Sequence, residues 1–226
     1  MRYLIFTSFI LLASVVVSAQ RISKISITNS GVTDMITLSL DDNAVINLSP
    51  TGNIINYGTE YFSERVSSFS RIENYNGRIE MYAATDDKAF AGKVKYLGRF
   101  AITYYASYED ESLRGKVKMI GTFAINYYMP FDNESERGKI KNIGGNSFTY
   151  FSSFENVELR GKLKSVGSTN INYYSSFDDK AFRGKLKSIG AISFTYYSSF
   201  EKQFAGALKT GNVMQNIVAG INYVIR

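Results

Sequence analysis

Lysines at 93, 116, 139, 162 and 185 stand 23 residues apart, each inside a Gly-Lys-apolar-Lys segment. Aromatic pairs recur at the same interval: Tyr104-Tyr105, Tyr127-Tyr128, Tyr150-Phe151, Tyr173-Tyr174 and Tyr196-Tyr197. A cation beside a ring suits an anionic group, and a ring face suits a sugar or a partner chain. Acids recur too, at Glu109, Asp132, Glu155, Asp178 and Glu201, with adjacent carboxylates at Asp86-Asp87 and Asp178-Asp179. Paired carboxylates can bind calcium or act on a glycosidic bond. These lack the glycine and bidentate glutamate of a calcium loop. They also recur in every copy, whereas an active site is normally built once. The 226 residues include no histidine and no cysteine. That removes imidazole acid–base catalysis, thiol nucleophiles, disulfides and the usual zinc ligands. The reading is of a non-enzymatic protein with no cofactor and no metal. Its candidate binding face joins the second aromatic of each pair (Tyr105, Tyr128, Phe151, Tyr174, Tyr197) to the first lysine of each copy (Lys93, Lys116, Lys139, Lys162, Lys185). The alternative is that the rings cover the second face of the sheet against lysine stems and the lysines form a solvated face that guards against strand-edge aggregation.

These residues must be positioned by a repeat, because a fixed period of 20–50 residues marks an array. The array is expected over 77–209. A half copy occupies 77–91, full copies begin at 92, 115, 138, 161 and 184, and a degenerate copy begins at 206. Within a copy, Phe100, Ile102 and Tyr104 alternate with Ala101, Thr103 and Tyr105, which predicts a strand with one buried face. Before it lies Arg-Gly-Lys-apolar-Lys, whose apolar residues Val117 and Ile120 stand three apart. A β-bulge, or the start of the turn at Gly121, would reconcile that spacing with a strand. One such hairpin buries too little to stand alone, so neighbours must share the face. A longer period of 46 residues overlies the first: copies three and five share Ser-Phe-Thr-Tyr and Ser-Ser-Phe-Glu, and copies two and four share Ile-Asn-Tyr-Tyr.

The expected fold is all-β, an elongated antiparallel meander of two-strand repeats. The alternative is a two-strand β-solenoid, which would stack equivalent lysines about 4.8 Å apart and set like charges against each other. A meander separates them by two strands. An outer-membrane barrel fits poorly, because the first strand carries lysine at alternate positions and its other face turns polar at Asn142, Ser165 and Ser188.

Outside the array, residues 1–19 read as a signal peptide. Arg2 is the basic start, Leu4 to Val17 the apolar stretch and Val17-Ser18-Ala19 the cleavage site. Residues 20–76 form a leader of strands without the period: Ile22–Thr28, Val32–Leu40 and Ala44–Leu48, separated by Asn29-Ser30-Gly31 and Asp41-Asp42-Asn43. The stretch from Thr59 to Asn76 is an irregular connection or a hairpin. Residues 210–226 are expected to hold a capping strand. The expected location is secreted, periplasmic or cell-surface, with no transmembrane span once the signal is removed.

Gly161-Lys162-Leu163-Lys164-Ser165-Val166-Gly167, followed by Tyr173-Tyr174, resembles the MORN repeat in its bacterial variants. The shared features are a 23-residue period, a hairpin per copy and a Gly-x-apolar core beside aromatics. The copies also resemble those of secreted bacterial repeat proteins that carry Gly-Lys-apolar-Lys and Tyr-Tyr. The MORN resemblance implies a scaffold. The net charge of +6 and the Tyr/Lys face suggest as partners an envelope protein, an extracellular polysaccharide or an anionic envelope lipid, and not nucleic acid.

Overall fold

The computed structural model describes residues 20–62 and 70–226. The expected signal segment, 1–19, lies outside the described residues. The protein is all-β, and its sheets are antiparallel but for one pairing; they are open and not closed into a barrel.

The repeats build one sheet in strict chain order. The half copy supplies β6 (Ile79–Met81). Each full copy then contributes a short strand and a longer one: β7 (Val94–Leu97) and β8 (Phe100–Tyr104), β9 (Val117–Ile120) and β10 (Phe123–Tyr127), β11 (Ile140–Ile143) and β12 (Asn146–Tyr150), β13 (Leu163–Val166) and β14 (Thr169–Tyr173), and β15 (Leu186–Ile189) with β16 (Ile192–Ser193). Phe194 interrupts the last long strand, which resumes as β17 (Thr195–Tyr196) and pairs with β18 (Leu208–Thr210) of the degenerate copy. Consecutive strands pair antiparallel, so the array is a meander and the solenoid is excluded. Each hairpin turns on two residues, with glycine first. At Gly121 φ is +55°, a value that costs an L side chain and suits the first position of a type II′ turn.

The three-residue spacing of the short strand has the expected cause. Ile102 faces Ile120 and Thr103 faces Met119, but Tyr104 faces Val117, so the short strand carries a bulge. The same slip recurs at Tyr127, Tyr150, Tyr173 and Tyr196. It brings Val117 and Ile120 to one face, and both are buried.

That face is covered by a second sheet made from both ends of the described chain. Its strands are β1 (Arg21–Ile27), β2 (Thr33–Ser39), β3 (Ala44–Leu48), β4 (Ile54–Phe62) and β5 (Ser70–Glu73), with β19 (Asn216–Val218) and β20 (Ile221–Ile225). β4 and β5 form a hairpin, which settles the alternatives for Thr59 to Asn76. The tail enters by pairing β20 parallel to β1, Ile25 opposite Tyr223. Lys24 of β1 reaches Glu60 of β4 at 2.9 Å across two intervening strands, so the sheet is strongly curled. Ile25, Ile36, Leu38, Ile46 and Leu48 of this sheet share one core with Ile102, Ile120, Ile125, Ile143 and Ile171 of the array. The turns of the covering sheet also grip the array directly. Pro50 and Gly52 accept hydrogen bonds at their carbonyls from the Ile140 and Val117 amides, at 2.8 and 3.2 Å. A Cβ at Gly52 would lie 2.0 Å from the Tyr127 hydroxyl, so only glycine fits there.

Candidate functional site

The paired aromatics and lysines form a lattice that runs from copy to copy. The first tyrosine of each pair ends its strand with its ring in the core. Three of these hydroxyls donate to the bulged strand of their own copy: Tyr104 to Val94 O at 3.0 Å, Tyr127 to Val117 O at 2.6 Å and Tyr150 to Ile140 O at 3.0 Å. Burial lifts their hydroxyl pKa well above the usual value of 10. The Tyr173 hydroxyl is buried without a hydrogen-bond partner among the described residues, and the Gly31 turn of the covering sheet is seated against its ring.

Of the two readings of the second aromatic of each pair, a free binding row and packing against neighbouring lysine stems, the rings are found packed. Tyr105, Tyr128, Tyr174 and Tyr197 are half-buried, and Phe151 is buried. Each of the first four rings, from Tyr105 to Tyr174, meets the first tyrosine of the next copy edge-on, with centroids 6.0 Å apart in every case. Three hydroxyls also donate across the copy boundary: Tyr105 to Ile125 O, Tyr128 to Phe148 O and Tyr174 to Phe194 O, at 2.9–3.3 Å. These rings join copies to one another. Tyr82 does the same for the half copy, pairing with Tyr104 and bonding Ile102 O.

The first lysines are also built into the frame. Lys93, Lys116, Lys139 and Lys162 donate to the carbonyls of Gly115, Gly138, Gly161 and Gly184, 2.5–2.7 Å away in the following copy. Lys185 repeats this with Gly206. Each ammonium sits over the first tyrosine of its own copy, 4.8–5.4 Å from the ring centre. Burial lowers the pKa of Lys93, Lys116, Lys139 and Lys162. The structure therefore does not bring the first lysines beside the second aromatics. The lysines that do stack there are the second ones: Lys118 on Tyr105, Lys141 on Tyr128, Lys164 on Phe151, Lys187 on Tyr174 and Lys209 on Tyr197, at 5.0–5.3 Å. Lys118, Lys164 and Lys209 also pair with Glu109, Glu155 and Glu201. The one-methylene-shorter Asp132 and Asp178 make no ion pair with Lys141 or Lys187. Beside them this outer surface carries Met119 and Ala124 in the earlier copies and Thr, Asn and Ser in the later ones, with Thr149 bonded to Ser165 and Asn172 to Ser188. A shallow concavity of about 490 Å³ opens in it, lined by Tyr174, Lys187, Asn172 and Thr195.

The recurrent acids shape the loops between copies. Glu109, Asp132, Glu155, Asp178 and Glu201 each accept the backbone N–H three residues earlier, at 2.6–2.9 Å. The following residue ties one loop to the next. Asp87 accepts from the Ser107 N–H and hydroxyl, Asn133 and Asn156 exchange bonds with Ser153 and Ser176, and Asp179 accepts from Ser199, at 2.7–3.1 Å. Backbone N–H groups hold the carboxyls of Asp87 and Asp179 below the usual range. One link is missing: opposite Asp110 stands Pro130, which has no N–H to give.

At the apex of each loop is an aromatic ring that sequence reasoning passed over. Tyr108, Phe131, Phe154, Phe177 and Phe200 are 83–94% exposed, one per full copy. The signal was present as a ring every 23 residues inside a Ser/Asp/Glu turn, where no strand alternation explains it. In sequence it served only to mark the 46-residue duplication. The half copy has Thr85 at this place. Large aromatics are seldom this exposed singly, and five in register are a surface feature to be explained. Among the described residues no cluster of acids is placed to hold a metal ion. No protein family model, no curated protein and no solved structure matches this chain.

Proposed function

We propose that this chain is an exported, non-enzymatic β-repeat protein that acts as a scaffold presenting one interaction surface several times over. The observation that carries this reading is the row of five apex rings, almost fully exposed, the last four of them on loops hydrogen-bonded one to the next. Repetition multiplies weak contacts into firm attachment without any single strong site. The basic start, apolar stretch and Val17-Ser18-Ala19 of residues 1–19 support export. The resemblance to MORN repeats supports a scaffold. The test is envelope fractionation of producing cells, comparing the natural chain with a variant in which Tyr108, Phe131, Phe154, Phe177 and Phe200 are all replaced by Ser. Retention of the natural chain in one envelope fraction and release of the variant, at unchanged thermal stability, is expected. Equal retention of both overturns the reading.

A second reading is favoured by Lys141 and Lys187, which lie over Tyr128 and Tyr174 and, among the described residues, make no direct ion pair, although Glu136 and Asp178 stand near them. In it the outer aromatic–lysine strip holds an anionic envelope lipid. Vesicle binding that falls steeply with salt, and that is lost in Lys141→Gln/Lys187→Gln, is its expected signature.

A further inference from the structure

We propose that the apex row is a binding strip for an uncharged, extended β-linked polysaccharide, one ring contacting one repeat of the polymer. This rests on the reading of the chain as a presenter of a repeated surface, and it names what that surface takes. Four observations lead here.

The first is pitch. Equivalent loops in this meander are separated by two strands, which sets neighbouring rings roughly 10 Å apart. A row with constant pitch suits a ligand with constant pitch. A flat β-linked chain shows the same sugar face at every second unit, a repeat of matching length.

The second is rigidity. The residue just before each ring is the one whose N–H is bonded to the previous loop: Ser107, Ser153, Ser176 and Ser199. Where that bond is absent the residue is Pro130, whose ring fixes φ in another way. A fluid bilayer needs no such fixed spacing, whereas a stiff polymer does, and a strip ordered in advance binds with less entropic loss.

The third is charge. Although the chain is cationic, acids outnumber bases on the first three loops: Glu109, Asp110 and Glu111 against Arg114; Asp132, Glu134 and Glu136 against Arg137; Glu155 and Glu158 against Arg160. On the last two, Asp178 and Asp179 face Lys180 and Arg183, and Glu201 faces Lys202. Glu109, Glu155 and Glu201 are also neutralised by Lys118, Lys164 and Lys209, so the edge as a whole is close to neutral. It offers an anionic polymer or lipid no excess of positive charge, and it offers acceptors to sugar hydroxyls.

The fourth is chemistry. Aromatic faces take the C–H face of a pyranose, and each contact is weak alone. Five in register make a strip whose strength comes from number.

The experiment is co-sedimentation of the purified chain with microcrystalline cellulose and with chitin, with polygalacturonate and phosphatidylcholine vesicles as the contrasting probes. The expected result is binding to an uncharged polymer that changes little between low and high salt. Phe154→Ser should weaken it by roughly 2- to 10-fold, the size of one aromatic contact. The variant with all five rings replaced by Ser should not bind, while its unfolding midpoint stays that of the natural chain. No binding to cellulose or chitin overturns the proposal. So does binding that survives loss of all five rings. Capture by polygalacturonate or vesicles alone, or self-association lost with the rings, also overturns it. If the five-ring variant is released from the envelope while the natural chain ignores both polymers, only the polysaccharide assignment fails. If envelope retention is also unchanged, the presenting surface itself is lost.

Discussion

In the covering sheet, β3 is buried at every residue from Ala44 to Leu48. In the array no strand is buried throughout; the short strands alternate two buried ends with an exposed or half-exposed middle. The covering sheet appears once, and its burial is concentrated in β2 and β3, while β4 exposes Ile55 and Tyr61. The array commits only a few positions per copy to the core and leaves the rest to face outward. The difference shows why only one of the two can carry a repeated surface. A strand buried on both faces, as β3 is, has no positions free to vary. The array hides its bulged strands and first tyrosines under the other sheet, and so keeps its loops and outer ladder open.

The largest expected effect comes from removing the shared dependence of the two sheets. Deleting residues 221–226 takes away β20, the parallel neighbour of β1, and with it the buried Tyr223. We expect the truncated chain to lose its cooperative urea transition and to aggregate, because the array's apolar face is no longer fully covered. A truncated chain that melts as the natural one does would show that the array stands without its cover.

Next in size is the contrast within an aromatic pair. Tyr150→Ala removes a core ring and should cost about 3–5 kcal/mol. Tyr174→Ala removes a half-buried ring and one hydrogen bond at a copy boundary, and should cost about 1–2 kcal/mol. Urea melts of the two variants decide this. Equal losses would mean that the joints between copies are as tightly packed as the core beneath the cover.

The smallest effect sharpens the comparison most. Tyr150→Phe deletes a hydroxyl that satisfies Ile140 O and should destabilise by about 1 kcal/mol. Tyr173→Phe deletes a buried hydroxyl with no partner among the described residues and should be neutral or stabilising. Opposite signs in paired melts would mark the place where the Gly31 turn interrupts an otherwise regular row. A loss at Tyr173 as large as that at Tyr150 would contradict this assignment.

Much of the array was legible in the chain. The copies and the buried alternation of Ile102 and Tyr104 follow from local spacing. The meander follows from the repulsion that a solenoid would set between stacked lysines. The spacing of Val117 and Ile120 left a bulge and an early turn both open, and Tyr104 opposite Val117 decides for the bulge. What failed was extrapolation past the strand ends. Tyr105 still bonds the next copy through its N–H to Lys116 O, one residue past the end of β8, but its ring packs edge-on to Tyr127 and does not stand free. Lys93 likewise precedes β7, which is why the first lysines turn toward the next copy and the second ones stack outward. The cover was hidden for another reason. Pairing between Ile25 and Tyr223 leaves no local periodicity to read. The apex rings were visible as residues but not as a site, since exposure is a tertiary property that no spacing encodes.

The parallel seam between β1 and β20 also sets the order in which this molecule can be finished. On one side β1 finds β2 as soon as the next few residues are made. On the other it waits for the last described strand, with a bare row of backbone donors and acceptors meanwhile. Such an edge is open to pairing with a neighbouring chain. Contacts this distant in sequence also form slowly. The array can grow hairpin by hairpin behind the emerging chain, but its roof is not sealed until β20 has been made, after every repeat. Crowded, slow or interrupted production should therefore yield tangled chains through this one seam, while the repeats themselves pair correctly.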